Sequence, residues 1–183
     1  MNATKLAWMV YAAIALAGCG TTGPVAMGGG TGAGGLATTK DDCPDLPIIK
    51  GEVNGCSLGV CPTPVIVFWD GKACQAMVGA QTVKMSKGNK DAQLRWWLPD
   101  SSKWEFREES SLFALPILFS DQNAPGLRDQ FSNANVVGNG KAVHLKNANT
   151  NSTKYQYQVR VFRKGGGPRD YIDSTDPAIQ NDY

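Results

Sequence analysis

A two-residue alternation near the C-terminus most constrains the fold of this chain. The apolar residues Tyr155, Tyr157, Val159 and Val161 are separated by single polar residues. Successive side chains of a β-strand point to opposite faces, so this pattern predicts a strand with one buried and one solvated face. Further short strand patterns begin at Pro64 and are separated by turn residues about every 8–12 positions, as in all-β domains.

These patterns predict the architecture of residues 41–183. Roughly seven to nine short strands with apolar residues on one face favour a single antiparallel β-sandwich over a barrel. The chain lacks a long 3.6-residue apolar period, and a turn or two of helix is predicted only around residues 126–132. The prediction is therefore an all-β fold in one domain.

One segment resembles an immunoglobulin-type sandwich. Residues 151–157 are similar to the approach to the sixth strand of that fold, where a corner tyrosine bonds back to the preceding turn. The resemblance implies that Tyr155 is the corner tyrosine, that Tyr157 stands at a core cysteine position and that Trp96 is the core tryptophan of the third strand. The inter-sheet disulfide of that family is missing because neither core position holds a cysteine. The resemblance implies an immunoglobulin-like topology and supplies no activity.

The N-terminus has the composition of a signal peptide. Lys5 precedes an apolar run over residues 6–17, which is shorter than the roughly 20 residues of a membrane span. Leu16-Ala17-Gly18-Cys19 resembles the lipobox of bacterial lipoproteins. The resemblance implies a signal peptide at 1–18, a diacylglycerol thioether on Cys19 and acylation of the new amino terminus. Gly20 follows the cysteine where Asp would cause inner-membrane retention, which implies delivery to the outer membrane.

The segment after the acylated cysteine is rich in glycine. Residues 20–40 contain no charge before Lys40 and no period, so residues 19–40 are predicted to form a flexible tether. Its root-mean-square reach is on the order of 25 Å for a Gly-rich chain. A domain at 41–183 can therefore stand away from the membrane.

Four further cysteines are predicted to form disulfides. Export places the chain in an oxidising compartment, and the gaps of twelve, four and twelve residues between these cysteines favour two disulfides over the alternative, a structural zinc site, which usually has close cysteine pairs. If Asp70 and Gly71 form a two-residue hairpin loop, Val67 faces Cys74. Cys61 is then roughly 20 Å away along the strand, which disfavours a Cys61–Cys74 bridge unless the hairpin loop is wider. Cys74 is expected to pair with one of the other two, and both choices stay open: Cys43 and Cys56.

Candidate catalytic groups are few. The formal charge is +2, which falls to +1 when Lys5 is removed with residues 1–18, so nucleic acid is not an expected partner. The one histidine, His144, lies between two apolar residues and is expected on the outward face of a strand. Three carboxylates are expected at a solvated strand end: Glu105, Glu108 and Glu109. We predict no catalytic residue, metal or cofactor.

One surface patch is a candidate interface. Trp97 follows the inward Trp96 and must point outward, beside Arg95. Tryptophan and arginine are enriched in protein interfaces, although a loop or the tether could instead cover this tryptophan. We therefore expect a non-enzymatic binding or structural module that contacts the membrane through acyl chains and binds an envelope protein or surface polymer. The alternatives are an envelope hydrolase acting on glycan or peptidoglycan and an inhibitor or immunity-type lipoprotein.

Overall fold

The computed structural model describes residues 38–43, 56, 59–108 and 116–182. Two short helices, a 3₁₀ helix at Lys40–Asp42 and α1 at Leu127–Gln130, accompany eleven strands in this part of the chain. The strands are β1 Val60–Trp69, β2 Cys74–Val78, β3 Thr82–Met85, β4 Ala92–Trp97, β5 Trp104–Glu105, β6 Ile117–Phe119, β7 Phe131–Val137, β8 Ala142–Asn147, β9 Lys154–Arg163, β10 Tyr171–Asp173 and β11 Ala178–Asn181. The predicted signal peptide and lipobox lie outside the described residues.

The strands form two sheets. The first has five strands in the order β2-β1-β4-β8-β7. In the second, β9 is central, with β10 and β11 on one edge and β5 and β6 also paired to it, while β3 lies beyond β11. The alternating residues that predicted β9 occupy it as expected, since Tyr155, Tyr157, Val159 and Val161 are all buried. The all-β sandwich is thus confirmed.

Both sheets are mixed rather than purely antiparallel. Strand β1 runs parallel to β4, with Val60 opposite Gln93, and β3 runs parallel to β11, with Thr82 opposite Ala178. Neither pair is joined by a short turn, because a parallel neighbour needs a crossover connection. Turn residues in a sequence signal hairpins, so they could not reveal these two pairings. The antiparallel part of the prediction is corrected accordingly.

Two aromatic residues join the sheets across the core. Trp96 on β4 and Tyr157 on β9 are both almost fully buried, and their rings meet edge to face at 5.3 Å. The Trp96 Nε1–H donates to the Tyr157 hydroxyl at 3.0 Å, which satisfies the only polar atom of that buried indole. The Tyr155 hydroxyl accepts a hydrogen bond from the Asn151 side chain at 2.8 Å, within the preceding turn. The immunoglobulin-like relationship stays a prediction.

The first hairpin has a wider loop than predicted. Trp69 stands opposite Cys74 and Val67 opposite Ala76, so the loop has four residues, 70–73, rather than two. The cause is Asp70, whose carboxylate accepts the backbone N–H groups of Lys72 and Ala73 at 2.8 and 2.9 Å. These two bonds hold the chain in a broader turn than the Asp-Gly pair alone indicates.

Two disulfides are present, and together they use the four cysteines that were predicted to be bonded. Cys43 is bonded to Cys74 with their Cα atoms 5.9 Å apart, and Cys56 is bonded to Cys61. The pairing resolves the open choice for Cys74 and agrees with the prediction against a Cys61–Cys74 bridge. Cys43–Cys74 fastens the N-terminal 3₁₀ helix to β2.

Candidate functional site

The candidate site is a groove beside β1, where β4 leaves the sheet. Strand β4 pairs with β1 only as far as Trp97, which stands opposite Pro64. Pro99 then removes a backbone donor, and the Asp100 carboxylate accepts the Ser102 N–H at 2.9 Å in a tight turn. The chain after Trp97 therefore diverges from the second half of β1 and leaves a cleft.

The groove has a volume of about 780 Å³ and a largely apolar lining. This volume lies within the roughly 300–1,000 Å³ range of ordinary ligand sites. Its residues come from three places: the N-terminal 3₁₀ segment, the middle of β1 and the stretch from the end of β4 to β5. They are Lys40, Asp41, Asp42, Cys43, Pro64, Val65, Ile66, Val67, Trp97, Pro99, Asp100, Ser102, Lys103 and Trp104.

The 3₁₀ segment forms one wall and is held by several bonds. Asp42 and Thr39 form a capping box, in which the Thr39 backbone N–H donates to the Asp42 carboxylate at 2.9 Å. The Trp104 indole N–H donates to the Asp42 carbonyl at 2.9 Å, and the Arg163 guanidinium pairs with the Asp42 carboxylate. The hydrogen bond from the Thr39 backbone, followed by its side chain and the charge of Arg163, lowers the pKa of Asp42. The wall is therefore fixed to both sheets.

Residues 38–40 belong to this wall although sequence reasoning assigned them to the tether. The Thr38 hydroxyl accepts the Cys74 backbone N–H at 2.9 Å, which places Thr38 along the outer edge of β2. The rest of the predicted tether, with Cys19, lies outside the described residues. Within the described ranges, no helix combines the length and apolarity needed to cross a bilayer.

Of the two residues in the predicted interface patch, only one lines the groove. Trp97 points outward as predicted, is 37 % exposed and lines the groove. Arg95 is exposed on the same face but is not among the lining residues, and it stands opposite His144 in the sheet. Trp97 is thus part of a larger concave surface, whereas Arg95 borders it.

Two of the candidate catalytic groups, Glu105 and Glu108, are engaged in structural contacts. His144 is half-buried on the outward face, and its desolvation, followed by the positive charge of Arg95, lowers its pKa. The Glu105 carboxylate accepts from Arg107 at 2.8 Å, while the Glu108 carboxylate accepts the Val136 N–H at 3.2 Å. Glu109 lies outside the described residues. In the described part of the chain, no three His, Cys, Asp or Glu residues are grouped to hold a metal ion.

Sequence reasoning found one member of the groove and missed the others. The outward direction of Trp97 could be predicted from strand alternation alone. Ile66 and Trp104 were not, because their place in the groove depends on a parallel pairing and on the packing of the 3₁₀ segment against β5. The one local signal was Pro99 directly after a strand, since proline cannot donate to a continuing ladder.

Comparison with known proteins adds no relative. No family model matches this sequence, and no curated protein matches it significantly.

Proposed function

We propose that this chain is a lipid-anchored binding module of the bacterial cell envelope, delivered to the outer membrane, which binds its partner non-enzymatically in the groove beside β1. The observation that carries the binding role is the apolar groove of about 780 Å³ with Trp97 at its margin. The lipobox-like residues 16–19 support the anchor. Acyl chains hold such a module at the membrane because each buried methylene contributes about 0.8 kcal/mol.

The walls support binding rather than turnover. Trp104 and Asp42 are fixed by hydrogen bonds and an ion pair, and Cys43 by a disulfide. A rigid apolar groove can bind without losing much conformational entropy, which lowers one of the costs of binding. The anchor and the rigid groove together favour a protein that holds a partner near a membrane.

Two experiments test this proposal. For the anchor, the natural chain and its Cys19→Ser variant are expressed in a bacterium, and their envelopes are fractionated. We expect the natural chain to be recovered with the outer membrane and to carry acyl groups by mass spectrometry. The variant should carry no acyl groups and should be lost from the outer membrane. Equal outer-membrane recovery of an unacylated variant would refute the anchor.

For the groove, a photo-crosslinking amino acid replaces Trp97, and a matched control replaces Lys84, which is exposed on β3 of the other sheet. We expect irradiation of living cells to give a discrete crosslinked product from position 97 and not from position 84. Identical patterns from both positions would refute a binding role for the groove. Loss of a cellular activity on joint replacement of the four candidate groups, in a folded protein, would favour an enzyme instead: Glu105, Glu108, Glu109 and His144.

A further inference from the structure

Successive residues of β1 direct their backbone N–H and C=O groups alternately to the two edges of the strand. The Gly79 N–H donates to the Pro64 carbonyl at 2.8 Å, and the Asp70 N–H donates to the Ala73 carbonyl at 3.1 Å. Polar backbone groups alternate along a strand, so the even-numbered residues of β1 bond to β2. The odd-numbered residues, among them Val65 and Val67, therefore direct their N–H and C=O groups towards the opposite edge.

The opposite edge is paired with β4 only in the first half of β1. The Gln93 N–H donates to the Gly59 carbonyl at 2.7 Å, which confirms that odd-numbered residues face β4. Continuing this parallel ladder, residue 99 would donate to the Val65 carbonyl. Residue 99 is a proline and has no N–H, so the ladder ends there.

The second half of this edge is consequently open. In the part of the chain that the structure describes, the Val67 N–H and both carbonyls, of Val65 and Val67, have no backbone partner on the groove side. Both residues line the groove; Val65 is fully covered and Val67 is 7 % exposed, so Val67 provides the accessible part of this edge. An unpaired strand edge is a ready template for another strand.

We propose that the groove binds an extended polypeptide segment, which adds to the open edge of β1 as an additional strand. This inference rests on the proposed function and names the class of partner. The incoming segment would continue the line of β4, so that its backbone satisfies the Val67 N–H and C=O groups. Main-chain bonds would give affinity, and the groove walls would select the side chains.

The two sides of the groove indicate which side chains would fit. Ile66 and Trp97 lie on the outward face of the sheet, while Val67 and Trp104 lie on the inward side. A strand inserted between them points successive side chains alternately to these two apolar surfaces. A short continuous apolar run therefore fits better than an alternating one, as in strands that are buried on both faces.

The charges of the lining favour an uncharged centre in the bound segment. Lys40 and Lys103 are positive, Asp41, Asp42 and Asp100 are negative, and Arg163 neutralises Asp42. This near balance provides no strong field for nucleic acid or anionic lipid. A polypeptide is favoured over an acyl chain because an acyl chain cannot bond to the open backbone groups.

Backbone amide exchange tests the inference. The probe is a capped peptide with three central valines between threonines and terminal lysines, added to the ¹⁵N-labelled acylated chain in detergent micelles. We expect the free protein to exchange the Val67 amide faster than the Ile66 and Phe68 amides, which bond to β2. Peptide should slow exchange at Val67 selectively. The control peptide, N-methylated on its three central amides, should not bind.

Side-chain variants provide the second readout. We expect Trp97→Ala to weaken the affinity for the peptide by roughly tenfold, a change typical of an aromatic anchor. Arg95→Ala should leave the affinity unchanged. Equal binding of the N-methylated peptide, unchanged Val67 exchange at saturation, or absence of binding at millimolar peptide would overturn the inference. A crosslink from position 97 to a glycan or lipid would also overturn it while leaving the proposed binding function intact.

Discussion

The Cys43–Cys74 disulfide should contribute more to stability than Cys56–Cys61, because it closes a longer loop. A bridge lowers the entropy of the unfolded chain by a constant plus an amount that grows with the logarithm of the loop length. The separations are 31 and 5 residues. The same relation gives about 3.7 kcal/mol for the first bridge and about 2.1 kcal/mol for the second. Replacing each pair with alanines should therefore produce effects that differ by about 1.6 kcal/mol.

Urea unfolding, followed by tryptophan fluorescence, measures this difference. With a urea slope of about 2 kcal/mol per molar, the midpoint should fall by about 1.8 M without Cys43–Cys74 and by about 1 M without Cys56–Cys61. The second variant is a matched control, since it also loses two sulfurs and one bridge. Equal losses, or a larger loss from the short loop, would refute the argument from loop entropy.

The same variants separate stability from the integrity of the groove. Cys43 lines the groove, and its disulfide anchors the 3₁₀ segment that forms one wall. In this segment, the Asp42 carbonyl accepts a hydrogen bond from the Trp104 indole N–H. Removal of Cys43–Cys74 should accelerate hydrogen exchange of that indole under native conditions, whereas removal of the other bridge should not. Unchanged indole exchange would show that the hydrogen bonds and the Arg163 ion pair hold the wall without the disulfide.

Three further predictions concern the core, the surface and acid stability. Tyr157→Phe should lower the free energy of unfolding by about 1–3 kcal/mol by calorimetry, because it leaves the buried Trp96 N–H without an acceptor. Trp96→Ala should lower it by about 3–5 kcal/mol and Trp97→Ala by less than about 1 kcal/mol, since only the first is fully buried; equal losses in urea titrations would contradict their opposite facings. The stability from Asp42, whose folded pKa lies below the ordinary 3.8, should be present above pH 3.8 and lost as pH falls through the folded pKa. Acid titration should show this loss in the natural chain and not in Asp42→Asn.

Local patterns were sufficient for the strands and much of the core. The alternation in β9 and the facing of Trp96 follow from the two-residue period, and the short helix α1 lies within the predicted residues 126–132. The exclusion of Cys61–Cys74 used strand length, disulfide geometry and an assumed two-residue loop; the loop has four residues, and the observed pairing is still not Cys61–Cys74. These features depend on neighbours in sequence, which is why sequence reasoning reached them.

The missing features depend on contacts between distant segments. The parallel pairs β1–β4 and β3–β11 are joined by no short turn, and the wider first hairpin depends on where the Asp70 carboxylate finds its donors. The groove requires both the parallel pairing and the disulfide-held 3₁₀ segment. Trp97 alone was predicted because strand alternation fixes its outward direction, whereas the cavity beside it is a tertiary property.

Pro99 connects the sequence to the proposed function most directly. A residue with an N–H at this position could donate to the Val65 carbonyl and let β4 continue along β1. Proline ends the pairing, and the turn at Asp100 carries the chain away towards β5. The groove and the open edge thus have one local cause. The disulfide and the Asp42 contacts then keep the opposite wall in place, so that the edge at Val67 stays lined by apolar side chains for the proposed incoming strand.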